Sequence, residues 1–157
     1  MAMTTEVRAS LKLDLAAEVL RGGGSVRLRA WGVSMLPSIW PGDLLTIESA
    51  RLEQITPGDI VVIRQESRFI IHRLIRMEEG PDRTACLTRG DAVSHDDAFS
   101  PTSALLGRVT SICRASRAFS PNRQVSPFAG VFAWLFCHWD QFRSVYLRAH
   151  AFVYGLD

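Results

Sequence analysis

Apolar and polar positions along the chain change rhythm three times. Over residues 5–21, Leu11, Leu15 and Val19 recur at spacing four, with Leu13, Ala16, Ala17 and Leu20 widening the stripe. That spacing predicts an amphipathic helix. Gly22, Gly23 and Gly24 end it, since glycine takes the left-handed cap conformation without steric cost.

The rhythm then shortens to two. In "SVRLRAW", Val26, Leu28 and Ala30 alternate with Arg27 and Arg29, which predicts a half-buried strand with a basic outer face. "DLLTIES" (43–49), "DIVVIRQ" (59–65), "RFIIHRLIRM" (68–77), "RTACLTR" (83–89) and "LLGRVTSICR" (105–114) follow. Each is rich in β-branched or aliphatic residues and bounded by Gly, Pro or Asp. The fold expected is mainly β: compact, antiparallel and partly barrel-like, with flanking helices. Residues 1–23 form the N-terminal helix, 24–115 the β domain, and 116–157 a linker with an aromatic C-terminal helix. Ser126 and Pro127 suit the start of that last helix.

Composition narrows the function classes. The 157 residues are 47% hydrophobic and 22% charged, which is ordinary for a folded domain. A net charge of +2 carries no nucleic-acid signature. Cys86, Cys113 and Cys137 are scattered and odd in number, so no zinc site or disulfide framework is expected. No apolar run is long enough for an ordinary spanning helix, and the charged N-terminus does not read as a signal peptide. Of the 18 basic residues, Lys12 is the only lysine.

Candidate chemistry begins in "WGVSMLPSIWPGD", residues 31–43, where a hydroxyl, Ser34, sits in a turn. A serine there commonly bonds only the local backbone. It becomes a nucleophile only if a base takes its proton. His138 and His150 fall in the tail and His95 in a polar loop, whereas His72 lies mid-strand in "RFIIHRLIRM". Alternation sets His72 on one face with Ile70 and Leu74. A rigid, partly desolvated imidazole there suits a general base. "TRGDAVSHDD" supplies Asp91, Asp96 and Asp97 as candidates to orient the imidazole. The same acids with His95 lack the spacing of a calcium loop, so no metal and no cofactor are expected.

The ordered set "GVSMLP" with "PGD", then "PGDIVVIR", "IIHRLI", "LTRGDAVSHDD" and "LLGRV" resembles the type I signal peptidase family. That family shares its fold with the self-cleaving repressors of the SOS response. The resemblance runs from about Gly22 to Arg114. It implies a serine endopeptidase with Ser34 as nucleophile. The usual bacterial branch has a lysine base; the archaeal and endoplasmic-reticulum branch has a histidine, followed by an aspartate. The matching residue here is His72, and the only lysine precedes the serine motif. The resemblance carries the role of triad acid onto Asp97, with Asp91 and Met35 in support. It further implies an extended substrate segment with small residues before the cut.

The expected partner is a peptide or protein substrate. The C-terminal helix is expected to serve peripheral membrane association or homo-oligomer formation. An amphipathic helix stands where family members carry a membrane span, so a cytoplasmic or membrane-surface location is expected. The alternatives are a non-catalytic peptide-binding module on the same fold and a self-processing repressor-type peptidase.

Overall fold

The computed structural model describes residues 5–66, 68–79, 84–125 and 131. The helix expected in the tail lies outside the described residues. The described chain runs from helix α1 (Thr5–Arg21) into β1 (Ser25–Arg29), β2 (Leu44–Glu48), β3 (Ile60–Gln65), β4 (Arg68–Glu79), β5 (Thr84–Arg89), β6 (Ser100–Pro101), β7 (Leu105–Arg114) and β8 (Arg117–Phe119). These strands form one antiparallel sheet in the order β1-β2-β7-β3-β4-β5-β6, with β8 paired to β7. Register shifts interrupt β2–β7 at Thr46/Ile47, β3–β7 at Val62/Ile63 and β4–β5 at Leu74/Arg76. Such irregularities bend a strand and increase its twist. The fold is accordingly mainly β, with the sheet curled into a half-barrel.

β3 is central, and it shows why its sequence lacks alternation. Ile60 and Val62 enter one core with Leu45, Ile47, Val109 and Ile112. Val61 and Ile63 enter a second core with Ile55, Leu74 and Cys86. A strand covered on both faces needs apolar residues at every position. β1 has one covered face: Val26 and Leu28 pack on the first core, while Arg27 and Arg29 are exposed. Burial pushes the Cys86 thiol pKa up, and its Sγ lies 3.3 Å from the Ser100 carbonyl.

Helix α1 forms where the periodicity predicts it, but it docks by a different face. Ala17 and Leu20 are completely buried and Ala16 nearly so. The spacing-four stripe faces outward, with Leu11 49%, Leu15 54% and Val19 45% exposed. The two alanines let the helix lie close to the sheet, whereas Leu or Val in their place would hold it away. Arg64 of β3 secures the helix through Asp14 at 2.5 Å.

Two strands lack the signals of the others. β6 is two residues long. β8 follows a two-residue turn at Ala115 and Ser116, both with positive φ (47° and 66°), joining Arg114 to Arg117. Hairpin turns of this kind usually announce themselves with Asn-Gly or Asp-Gly. "RASRAF" carries neither, so the stretch reads as linker until the pairing is seen.

The docked and the outward faces of α1 make opposite predictions. Leu20→Ala is expected to cost about 2–5 kcal/mol in chemical denaturation. Leu15→Ala should stay within about 0.5 kcal/mol of the parent.

Candidate active site

A repeated device holds the turns. Pro41-Gly42-Asp43 and Pro57-Gly58-Asp59 each place glycine at positive φ, 93° and 97°. Each aspartate donates its backbone N–H to the carbonyl three residues back, at 3.0 Å in both turns. Each carboxylate accepts from the N–H at that same position: Trp40 to Asp43 at 2.8 Å and Thr56 to Asp59 at 3.0 Å. Proline followed by glycine in the left-handed region is the requirement of a type II turn. An arginine then meets each buried carboxylate. Arg114 grips Asp43 through both oxygens at 2.9 and 2.6 Å, and Arg123 reaches Asp59 at 2.8 Å.

The first of these turns frames Ser34. Met35, Leu36 and Ile39 are buried, so the segment is anchored by the residues just after the serine. Met35 therefore acts as a packing anchor, and it also lines the cleft beside Ser34. The Ser34 carbonyl accepts a hydrogen bond from the Ala92 N–H at 2.8 Å. This contact brings the turn against the loop after β5. A Cβ on Gly90 would lie 2.6 Å from the Ser34 carbonyl oxygen. Glycine is thus required there for the two backbones to meet.

β4 carries the imidazole to the same place. His72 pairs with Val61 and Ile70 with Ile63, on the side of the sheet that also takes Leu74. The shared face expected from alternation is present. His72 Nε2 lies 2.9 Å from Ser34 Oγ, and Nδ1 lies 2.6 Å from Asp97 Oδ2. An ionised carboxylate can only accept, so Nδ1 carries the hydrogen in the neutral ring. The Nε2 lone pair is then left facing the serine hydroxyl. The imidazole is largely covered, at 12% side-chain exposure, and Asp97 is at 27%.

The three candidate acids have separate surroundings. Asp97 Oδ2 also accepts from the Thr88 hydroxyl at 2.7 Å, and the Asp97 N–H donates to the Thr88 carbonyl at 2.8 Å. Asp91 is not at the imidazole. Its side chain is 2% exposed and is held by Arg73, with Nε to Oδ1 at 2.8 Å and Nη2 to Oδ2 at 2.7 Å. Asp96 points to Arg89 at 3.4 Å and is well exposed. His95 and Asp96 sit on the cleft wall without joining the Ser34–His72–Asp97 set.

Residue-by-residue reading misses Thr88, Arg73 and Ser38. Thr88 is completely buried, and inspection of "CLTRG" as a strand gives no reason for its hydroxyl. Ser38 donates to Asp91 Oδ2 at 2.5 Å. Arg73 stands next to His72, and the same alternation that turns His72 one way turns Arg73 the other. That was the available signal: an arginine on the covered side of a strand must have a carboxylate to meet.

The site opens into a cleft of about 950 Å³. Its walls come from α1, the end of β1, the start of β4 and the 95–98 loop. Leu13, Leu28, Phe69 and Ile71 give it apolar sides.

A family model described as Peptidase S24-like matches residues 2–83, more than half of the 157. The match takes in both Ser34 and His72. No curated protein matches the chain.

The Arg73–Asp91 pair generates a stability prediction. Asp91→Asn leaves a buried guanidinium without its counter-charge, an expected loss of about 3–5 kcal/mol in chemical denaturation. Arg73→Lys should also be destabilising, because an ammonium cannot reproduce the two-pronged contact.

Proposed function

The chain belongs to the peptidase S24-like family, and on that premise we propose that it is a signal-peptidase-like serine endopeptidase with a Ser34–His72–Asp97 triad. The observation that carries this reading is the single imidazole bonded on both nitrogens, 2.9 Å to Ser34 Oγ and 2.6 Å to Asp97 Oδ2. In this reading Ser34 Oγ attacks the scissile carbonyl while its proton passes to His72 Nε2. Asp97 stabilises the imidazolium and holds the tautomer. His72 then returns the proton to the leaving amine. Water, activated by the same imidazole, releases the acyl group from Ser34.

A lysine base is the natural rival, because Lys12 also lines the cleft. Among the described residues Lys12 makes no hydrogen bond to Ser34 Oγ, whereas His72 does. The Ser34 N–H, the backbone donor carried by the nucleophile itself, is the one we assign to the oxyanion. The apolar cleft walls, with β4 along one side, suit an extended peptide of small and apolar residues.

Ser34→Ala and His72→Ala are each expected to lower kcat/KM on an extended peptide by roughly 10³-fold or more, with the fold retained by circular dichroism. The double variant should be little worse than either alone, because the two groups act as one unit. Asp97→Asn should fold and yet turn over far more slowly. Full activity in folded Ser34→Ala would end the reading.

The base must be neutral to accept the proton. The parent protein should therefore lose kcat/KM as the medium is acidified. A profile governed only by a group titrating in the alkaline range would point away from His72.

A further inference from the structure

Charged residues outside the triad also line the cleft: Lys12, Arg29, Arg68 and Asp96. Asp96 and Asp97 lie at the end formed by the 95–98 loop, and both are engaged, by Arg89 and by His72 with Thr88. The opposite end is formed by α1 and the β3–β4 hairpin, which are joined by the Asp14–Arg64 ion pair. There Lys12 and Arg68 line the wall beside Leu13 and Gln65.

Among the described residues, Lys12 and Arg68 form no ion pair. Arg68 Nη2 donates to the neutral Gln65 amide oxygen at 2.9 Å. A third cation on the wall, Arg29, is likewise without an ion pair among the described residues and donates to the Gly42 carbonyl at 2.8 Å, but it stands on β1 and not on the β4 line that joins Arg68 to His72. The nearby Asp14 carboxylate is taken by Arg64, and Glu66, in the hairpin turn, is not part of the cleft wall. Exposed arginines such as Arg51 and Arg117 also form no ion pair among the described residues, but they do not line the cleft.

Resting on the peptidase reading above, we infer that Lys12 and Arg68 select substrates carrying an acidic side chain three to five residues from the scissile bond. β4 serves as the ruler. Arg68 is four residues from His72 on one strand, which is roughly 13 Å at the rise of an extended chain. A bound extended peptide advances at the same rate, so four substrate residues span the same interval. Ile70 lies between them on the same face, while Phe69 and Ile71 flank the line from the side of the first core, with Leu28. That interval suits apolar or small substrate side chains, closed at its far end by a carboxylate.

Both cations are solvent-exposed. Their combined effect is therefore modest and salt-sensitive: roughly a tenfold preference at low ionic strength. It should shrink as added salt shortens the screening length.

The test walks a single Glu, against Gln, through positions two to six on each side of the scissile bond of an extended peptide, using the full chain. The expected result is a Glu preference in kcat/KM of roughly tenfold, on one side only, three to five residues from the cut. It should fall to about twofold or less near 0.5 M salt. The Lys12→Glu/Arg68→Glu double variant should favour Lys over Glu at that position while still cleaving the Gln peptide. Equal rates for Glu and Gln at every position, or a preference unaltered in the folded double variant, would overturn the inference. If the parent cleaves none of the peptides, the peptidase reading fails by itself. The same Glu and Gln peptides are then titrated against Ser34→Ala protein by fluorescence anisotropy. Tighter binding of Glu peptides that is lost in the charge-reversed background supports the inference, and equal affinities overturn it.

Discussion

The Arg73 guanidinium meets four separate stretches of chain. Nε and Nη2 hold both oxygens of Asp91, Nη1 reaches the carbonyls of Gly58 and Asn122, and Nη2 lies 3.3 Å from Ser38. These residues belong to the turn before β3, the segment after β8, the Ser34 turn and the loop after β5. None of them is close to another in sequence. A planar group with five donors in fixed directions can serve all of them; an ammonium cannot. Side-chain exposures of 5% for Arg73 and 2% for Asp91 mean that the pair works with little screening, and that either partner alone would be costly.

The Ser34–His72–Asp97 set depends on this arrangement at one remove. Asp91 directly precedes Ala92, whose N–H holds the Ser34 carbonyl, and six residues later the loop delivers Asp97 to His72. Fixing Asp91 therefore fixes the start of the loop that carries both contacts. Thr88 fixes it again at the Asp97 end. Ser34 is held from the other side by Met35, Leu36 and Ile39 in the core. The hydroxyl is left facing the cleft because its neighbours are buried and its own carbonyl is engaged.

The same economy of residue type explains the arginine-rich composition. Asp43, Asp59 and Asp91 all follow a glycine, all are buried at a turn, and each meets an arginine: Arg114, Arg123 and Arg73. A turn that buries its carboxylate needs a directional cation nearby, and the guanidinium fork supplies the direction as well as the charge. Lys12, the one lysine, stands instead on the cleft wall, where it forms no ion pair among the described residues.

What was legible in the sequence was local. Alternation placed β1, runs of β-branched and aliphatic residues between Gly, Pro or Asp placed β2 to β5 and β7, and the period near four placed α1. The resemblance of the ordered motifs brought Ser34, His72 and Asp97 together on paper, and they lie within hydrogen-bonding distance in the fold. Periodicity alone left Asp91, Asp96 and Asp97 open, since three acids in one loop have the same composition whichever one meets the imidazole. Tertiary structure decided that matter, along with the docking face of α1, the pairing of β8 and the part played by Thr88. Each turned on a partner distant in the chain: a sheet surface that takes Ala16, Ala17 and Leu20 of the helix, a strand edge awaiting a mate, a carboxylate with an oxygen to satisfy. Such partners leave no period in the residues they meet, so only the folded chain reveals them.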